Sequence, residues 1–150
     1  MGCASAPPPV PEAPPPTPRS AEAAAAGANV AFFALSLLGQ PYTFGGRSFD
    51  DGFDCSGLVE HIYKSSATIA LTGSAAQMAK ATRPITPENL QAGDLVFFNT
   101  LGRPFSHVGV YVGKNRFVHA ASSKSGVRVD HLDHPYFAAR FEGARSVLVR

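Results

Sequence analysis

Apolar positions change their period once along this chain. Upstream of Pro87 they recur at helical spacing, and downstream they alternate. The first apolar run follows Ser20, an N-cap residue, with Glu22 in the first turn; Gly39 and Pro41 end it. After the loop Tyr42-Thr43-Phe44-Gly45-Gly46, a second helix should begin at Asp54 or Cys55, with Leu58, Val59, Ile62 and Tyr63 as its apolar stripe. Ser74 to Ala81 reads as a short third helix. Beyond Pro87, Asp94 to Phe98 reads as a buried strand. His107 to Val112 alternates, with Val108, Val110 and Val112 on one face. Arg116 to Ala121, Val127 to His131 and Ser146 to Val149 read as further strands, and Pro135 to Phe141 as a short helix. Helices first and strands afterwards predict an α+β domain, with N-terminal helices packed on an antiparallel β-sheet.

Composition divides the chain in two. Eight of the thirteen prolines lie between Pro7 and Pro18, and proline's fixed φ and missing N–H favour an extended spacer there. Residues 1–19 are therefore expected to be a tail and residues 20–150 one folded domain, for which an apolar fraction of 45% suffices. The uncharged run from Ala23 to Gly39 is too short to span a bilayer and is interrupted by Gly27, Asn29 and Ser36, so it reads as a core helix. A net charge of +2 without any Lys/Arg run points away from nucleic acid.

Two cysteines are too few for a disulfide framework, so Cys3 and Cys55 are expected to have separate roles. Met1-Gly2-Cys3-Ala4-Ser5 resembles the junction of a bacterial lipoprotein, in which the cysteine carries the lipid. Cys55 stands where a helix should start, and a helix N-terminus favours a thiolate. By itself it reads as a buried, inert thiol. Two histidines change that reading. His107 opens one strand, His119 lies in the next, and their offset is even. With an odd loop (Gly113-Lys114-Asn115, Val112 opposite Arg116), both imidazoles share a face; a two-residue loop would place them on opposite faces.

Four segments in order, Asp54-Cys55-Ser56-Gly57, Gly93-Asp94-Leu95-Val96-Phe97-Phe98, His107-Val108-Gly109-Val110-Tyr111-Val112-Gly113 and Phe117-Val118-His119-Ala120, resemble the NlpC-type cell-wall cysteine peptidases. Within them the chain is most like the Spr-like murein endopeptidase lipoproteins. The resemblance covers about Leu35 to Leu148. It implies a compact papain-like fold and cleavage of peptide bonds in peptidoglycan stems or cross-links. Cys55 would be the nucleophile, His107 the base and His119 the orienting residue. Tyr42 would assist the oxyanion hole, and Asp54 and Ser56 would contact substrate. The pattern departs at Leu71-Thr72-Gly73-Ser74, where relatives often read Leu-Pro-Arg-Thr/Ser.

The resemblance further implies a monomeric hydrolase without cofactor or metal, whose partners are peptidoglycan peptides and, through Cys3, a membrane. Its expected location is the outer membrane, facing the periplasm. Three rivals stand beside this reading. A zinc domain would use Cys55, His107 and His119, with His131 and His134 as a further pair, but it lacks a fourth ligand and any Cys-x-x-Cys. A catalytically silent peptidoglycan-binding module would have no use for the Cys/His/His set. A related acyltransferase would have a permuted motif order.

Overall fold

The computed structural model describes residues 19–48 and 52–148. The proline-rich segment and Cys3 lie outside the described residues. In chain order the elements are α1 (Ala21–Ser36), β1 (Arg47–Ser48), β2 (Gly52–Phe53), α2 (Cys55–Ala67), α3 (Ala75–Ala81) and β3 (Arg83–Ile85). They continue with β4 (Leu95–Phe98), β5 (His107–Gly113), β6 (Arg116–Ser122), β7 (Gly126–His131), α4 (Pro135–Ala138) and β8 (Phe141–Ser146). Each long helix starts at a side-chain cap that satisfies an otherwise orphaned N–H. The Ser20 hydroxyl accepts from Ala23 N–H at 3.1 Å, and Asp54 Oδ1 accepts from Gly57 N–H at 2.6 Å. Ser74 and Gln77 close a reciprocal capping box at α3.

Six strands form one antiparallel sheet in the order β3-β8-β4-β5-β6-β7. One face carries Leu95, Phe97, Val108, Val110, Val118 and Ala120 against Val30 and Ala34 of α1, Leu37 at its C-terminal cap, and Leu58, Val59, Ile62 and Tyr63 of α2. Val96, Phe98 and Phe117 point the other way and pack with Phe137 of α4. The α+β expectation holds, and the central strand β4 is buried on both faces.

Three expectations need correction. The last strand runs Phe141–Ser146 rather than from Ser146 onward. Its buried residues are small, Ala144 and Ser146, so it carries little apolar signal although it sits between β3 and β4. The helix expected to reach Phe141 stops at Ala138, because Phe141 pairs with Phe98. The β5–β6 turn is also shorter than expected. Gly113, not Val112, faces Arg116, and the turn consists of Lys114 and Asn115, both at positive φ (52° and 63°). Such a two-residue turn suits the twist of a hairpin. Val112 is an extra residue on β5, a bulge between Tyr111 and Gly113. The bulge restores the parity that the short turn would have reversed. Val110 faces Val118 and Tyr111 faces Phe117, so His107 and His119 lie on the same face after all.

Candidate active site

Cys55 is the first residue of α2, and the chain before it is tightly fastened. Asp54 caps the helix with one carboxylate oxygen and accepts from Gly45 N–H with the other at 3.1 Å. Gly57 lies so close to Gly46 that a methyl group there would collide with the Gly46 carbonyl oxygen. The Tyr42–Gly46 loop is thereby held against the helix start. Half-buried Tyr42 is near enough to Cys55 and Asp54 that burial, then those two groups, push its phenol up. Ser56 is buried, its hydroxyl 3.4 Å from Asp54 Oδ1. The structure gives Asp54 a capping role and puts Ser56 on the inner side of that cap.

The Cys55 thiol is half-buried and rests against the head of β5. Its Sγ lies 3.9 Å from the Ser106 carbonyl oxygen. Burial pushes the thiol up; the Val108 N–H opposes this, Asp54 adds to it, and the N–H groups of Ser56 and Cys55 itself also pull it down. His107 begins β5 between those two backbone contacts. Its Nε2 lies 2.7 Å from His119 Nδ1, with the rings nearly perpendicular at 82°. His119 is only 1% exposed, and its Nε2 lies 2.6 Å from Asp130 Oδ2. Arg128 Nε donates to the same oxygen at 2.6 Å, and Arg128 Nη2 to Oδ1 at 3.2 Å.

The register of β6 and β7 explains this cluster. Arg128 is directly opposite His119, and Asp130 is opposite Phe117, so the three polar side chains share one face. Electrostatics follow from burial. Desolvation, helped by His119, holds His107 down to about 3, although Asp130 pulls the other way. Burial also lowers His119, against the opposing hydrogen bond to Asp130. For Asp130 burial works against the charge, but the bonds from His119 and Arg128 outweigh it and hold the carboxyl below its usual range. At neutral pH the site therefore holds a thiol, two neutral imidazoles and a carboxylate.

A cavity of about 300 Å³ opens beside the imidazoles, lined in part by Thr100, Ser122, Arg128, His134 and Tyr136. A second, of about 210 Å³, lies between Ser74 and the Arg103–Ser106 segment. Among the described residues no three His, Cys, Asp or Glu side chains converge as metal ligands, so Cys55, His107 and His119 do not form a metal cluster, and neither do His131 and His134. Asp130 and Arg128 did not come from the sequence reading. The alternation in Gly126–His131 offered a signal, since both project to one side of that strand.

The description of the NlpC/P60 family matches residues 39–146. The gamma-DL-glutamyl hydrolase of Bacillus subtilis (strain 168) is 36% identical over 127 residues, which is 84% of this chain and 30% of that protein. The murein DD-endopeptidase MepH of Escherichia coli (strain K12) is 40% identical over 117 residues, 76% of this chain and 43% of that protein. The chain thus spans less than half the length of either relative. Among solved structures, the NlpC/p60 domain of the peptidoglycan hydrolase SagA superposes with a TM-score of 0.70 at 29% identity, over 81% of this chain and 98% of that domain.

Proposed function

The chain belongs to the NlpC/P60 family, and we propose that it is a cysteine peptidase that hydrolyses peptide bonds in peptidoglycan stems or cross-links. One observation carries this reading: a helix-start thiol seated at the head of the strand whose first residue, His107, is hydrogen-bonded to His119. Relatives named as a murein DD-endopeptidase and a gamma-DL-glutamyl hydrolase support the substrate class.

In this proposal Cys55 is the nucleophile, His107 the general base and acid, and His119 the residue that orients it. The resting pair is neutral, so the thiol proton passes to His107 as Sγ attacks the scissile carbonyl carbon. A tetrahedral intermediate forms, its oxyanion facing the Cys55 backbone N–H at the start of α2, with Tyr42 alongside. His107 returns the proton to the leaving amine as the C–N bond breaks. Water, deprotonated by His107, then hydrolyses the thioester and regenerates the thiol. Asp54 and Ser56 act through the helix start, on which substrate would rest.

Purified muropeptides incubated with the protein should yield shortened or uncoupled peptides by mass spectrometry. Cys55→Ala should yield none while melting as the wild type does, because a half-buried Sγ contributes little packing. Product formation by that variant would end the cysteine-peptidase reading.

We further propose that Cys3 carries a lipid that holds the enzyme at the outer membrane, facing the periplasm. Residues 1–19 would act as tether and spacer to the catalytic domain of residues 20–150. Support comes from Gly2-Cys3 followed at once by the proline-rich stretch, a spacer suited to reaching the wall from an anchor. The intact mass of native protein extracted from membranes should include acyl chains on Cys3; an unmodified Cys3 in freely soluble native protein would refute the tether.

A further inference from the structure

Asp130 stands at the end of a line of hydrogen bonds that begins at His107. We propose that Asp130, held by Arg128, fixes the tautomer of both imidazoles and is a fourth, positioning member of the Cys55–His107–His119 site. The kinetic part of this inference rests on the peptidase reading; the tautomer part does not.

The direction of each bond follows from what each group can donate. An ionised carboxylate only accepts. Asp130 is kept ionised by two bonds from Arg128, whose guanidinium only donates. The proton between Asp130 and His119 must therefore sit on His119 Nε2. A neutral imidazole carries one N–H, so His119 Nδ1 is left with a lone pair. That lone pair faces His107 Nε2 at 2.7 Å, and the bond exists only if His107 Nε2 carries the hydrogen. His107 Nδ1 is then the bare nitrogen, and it makes no other hydrogen bond among the described residues. It is the atom left to accept the Cys55 proton. The reverse arrangement, with N–H on both Nδ1 atoms, would put a donor where the thiol needs an acceptor. The choice between the two is made at Asp130, two residues removed from the reacting atoms.

Arg128 gives the proposal its sharpest test. In wild type the carboxylate stands between the guanidinium and His119. In Asp130→Ala the guanidinium is left facing His119 Nε2, and a donor there favours a lone pair on Nε2, the wrong tautomer. Asp130→Asn should be mild, because its amide oxygen can still accept from His119 while Arg128 keeps that oxygen turned inward. Removing Arg128 as well, in Arg128→Ala/Asp130→Ala, removes the opposing donor and should restore part of what Asp130→Ala loses.

Two readouts need no peptidoglycan. Nitrogen-15 spectra of histidine-labelled protein should report N–H on Nε2 of both His107 and His119 in wild type and in Asp130→Asn, with population of Nδ1–H in Asp130→Ala. Alkylation of Cys55 by iodoacetamide should fall in Asp130→Ala and recover in Asp130→Asn and in the double variant. On muropeptides, kcat for Asp130→Ala should fall by about 10²-fold, at the low end of general-base effects, with KM little changed. A residue that merely braced the fold would make the double variant at least as poor as the single one. That result, or wild-type His107 carrying its hydrogen on Nδ1, would overturn the proposal. If the spectra and alkylation behave as stated but no muropeptide is cut, the peptidase reading falls and the tautomer lock stands.

Discussion

His107 is enclosed by His119 and the ring of Phe98, and that enclosure makes its protonation a matter of fold stability. In the unfolded chain the imidazole takes a proton near pH 6.5, whereas in the folded site it resists until about pH 3. Between those values the unfolded state holds more protons. The stabilisation that accompanies a neutral His107 is complete above pH 6.5 and drains away as pH falls toward 3. His119, also held down by burial, acts with the same sign, and Asp130 adds its own loss once pH falls below the ordinary carboxylate value. Urea midpoints should therefore decline steadily from pH 7 to pH 4, and His107→Gln should flatten part of that decline. An acid limb as steep in His107→Gln as in wild type would show that other groups carry it. At this scale the sequence made Cys55, His107 and His119 legible, because cysteine and histidine are scarce and their order is distinctive. Asp130 was not, because an acidic residue on an alternating strand has many uses and only the β6–β7 register brings it to His119.

Among the elements, the β5–β6 hairpin does most to assemble the site, through an irregularity. Reading even spacing as a shared face required an odd loop; the chain instead combines a two-residue turn with one bulged residue. The two solutions have the same parity, so the functional expectation survived although its geometry did not. A bulge leaves little trace in a hydrophobic pattern, since Val112 continues the alternation of Val108 and Val110 and packs toward the same core. Deleting Val112 gives a direct test. The hairpin would keep its two-residue turn while the spacing of the histidines becomes odd, and that combination again puts them on one face, so Tyr111 should still pair with Phe117 and His107 should stay on the face of His119. Thiol alkylation and muropeptide cleavage should both stay well above the level of a His107→Ala variant, and far-ultraviolet circular dichroism should retain its strand signal. A deletion variant as inactive as His107→Ala, with its strand signal intact, would mean that parity alone does not set the histidine register. The helices were read far more closely, at Ser20, Asp54 and Ser74, because side-chain caps are local and visible in sequence.

The whole molecule is closed by a contact that no local pattern announces. Arg19, the last residue before the cap of α1, reaches across to Asp94 at the head of β4, with Nη2 2.5 Å from Oδ2. The side chains are 5% and 1% exposed, and Gln91 N–H donates to the same carboxylate oxygen at 2.8 Å. Burial drives the Asp94 carboxyl up, and Arg19, Gln91 and Ser146 draw it back. The pair joins the first helix to the strand at the centre of the sheet, while the Tyr63 hydroxyl ties α2 to the neighbouring Gly93 carbonyl. Pairing across 75 positions depends on how the layers stack, which is why composition assigned Arg19 to the tail while the described structure buries its side chain. Removing one partner of a buried pair strands the other charge, and such losses run to about 3–5 kcal/mol. Arg19→Ala should therefore lower the urea midpoint substantially at pH 7 without altering the spacing of Cys55, His107 and His119. Arg19→Met/Asp94→Leu, which leaves no stranded charge, should recover much of the loss. At saturating substrate and low temperature, where both variants are folded, their kcat should match wild type. An Arg19→Ala protein as stable as wild type would show that the buried pair does not hold α1 to the sheet.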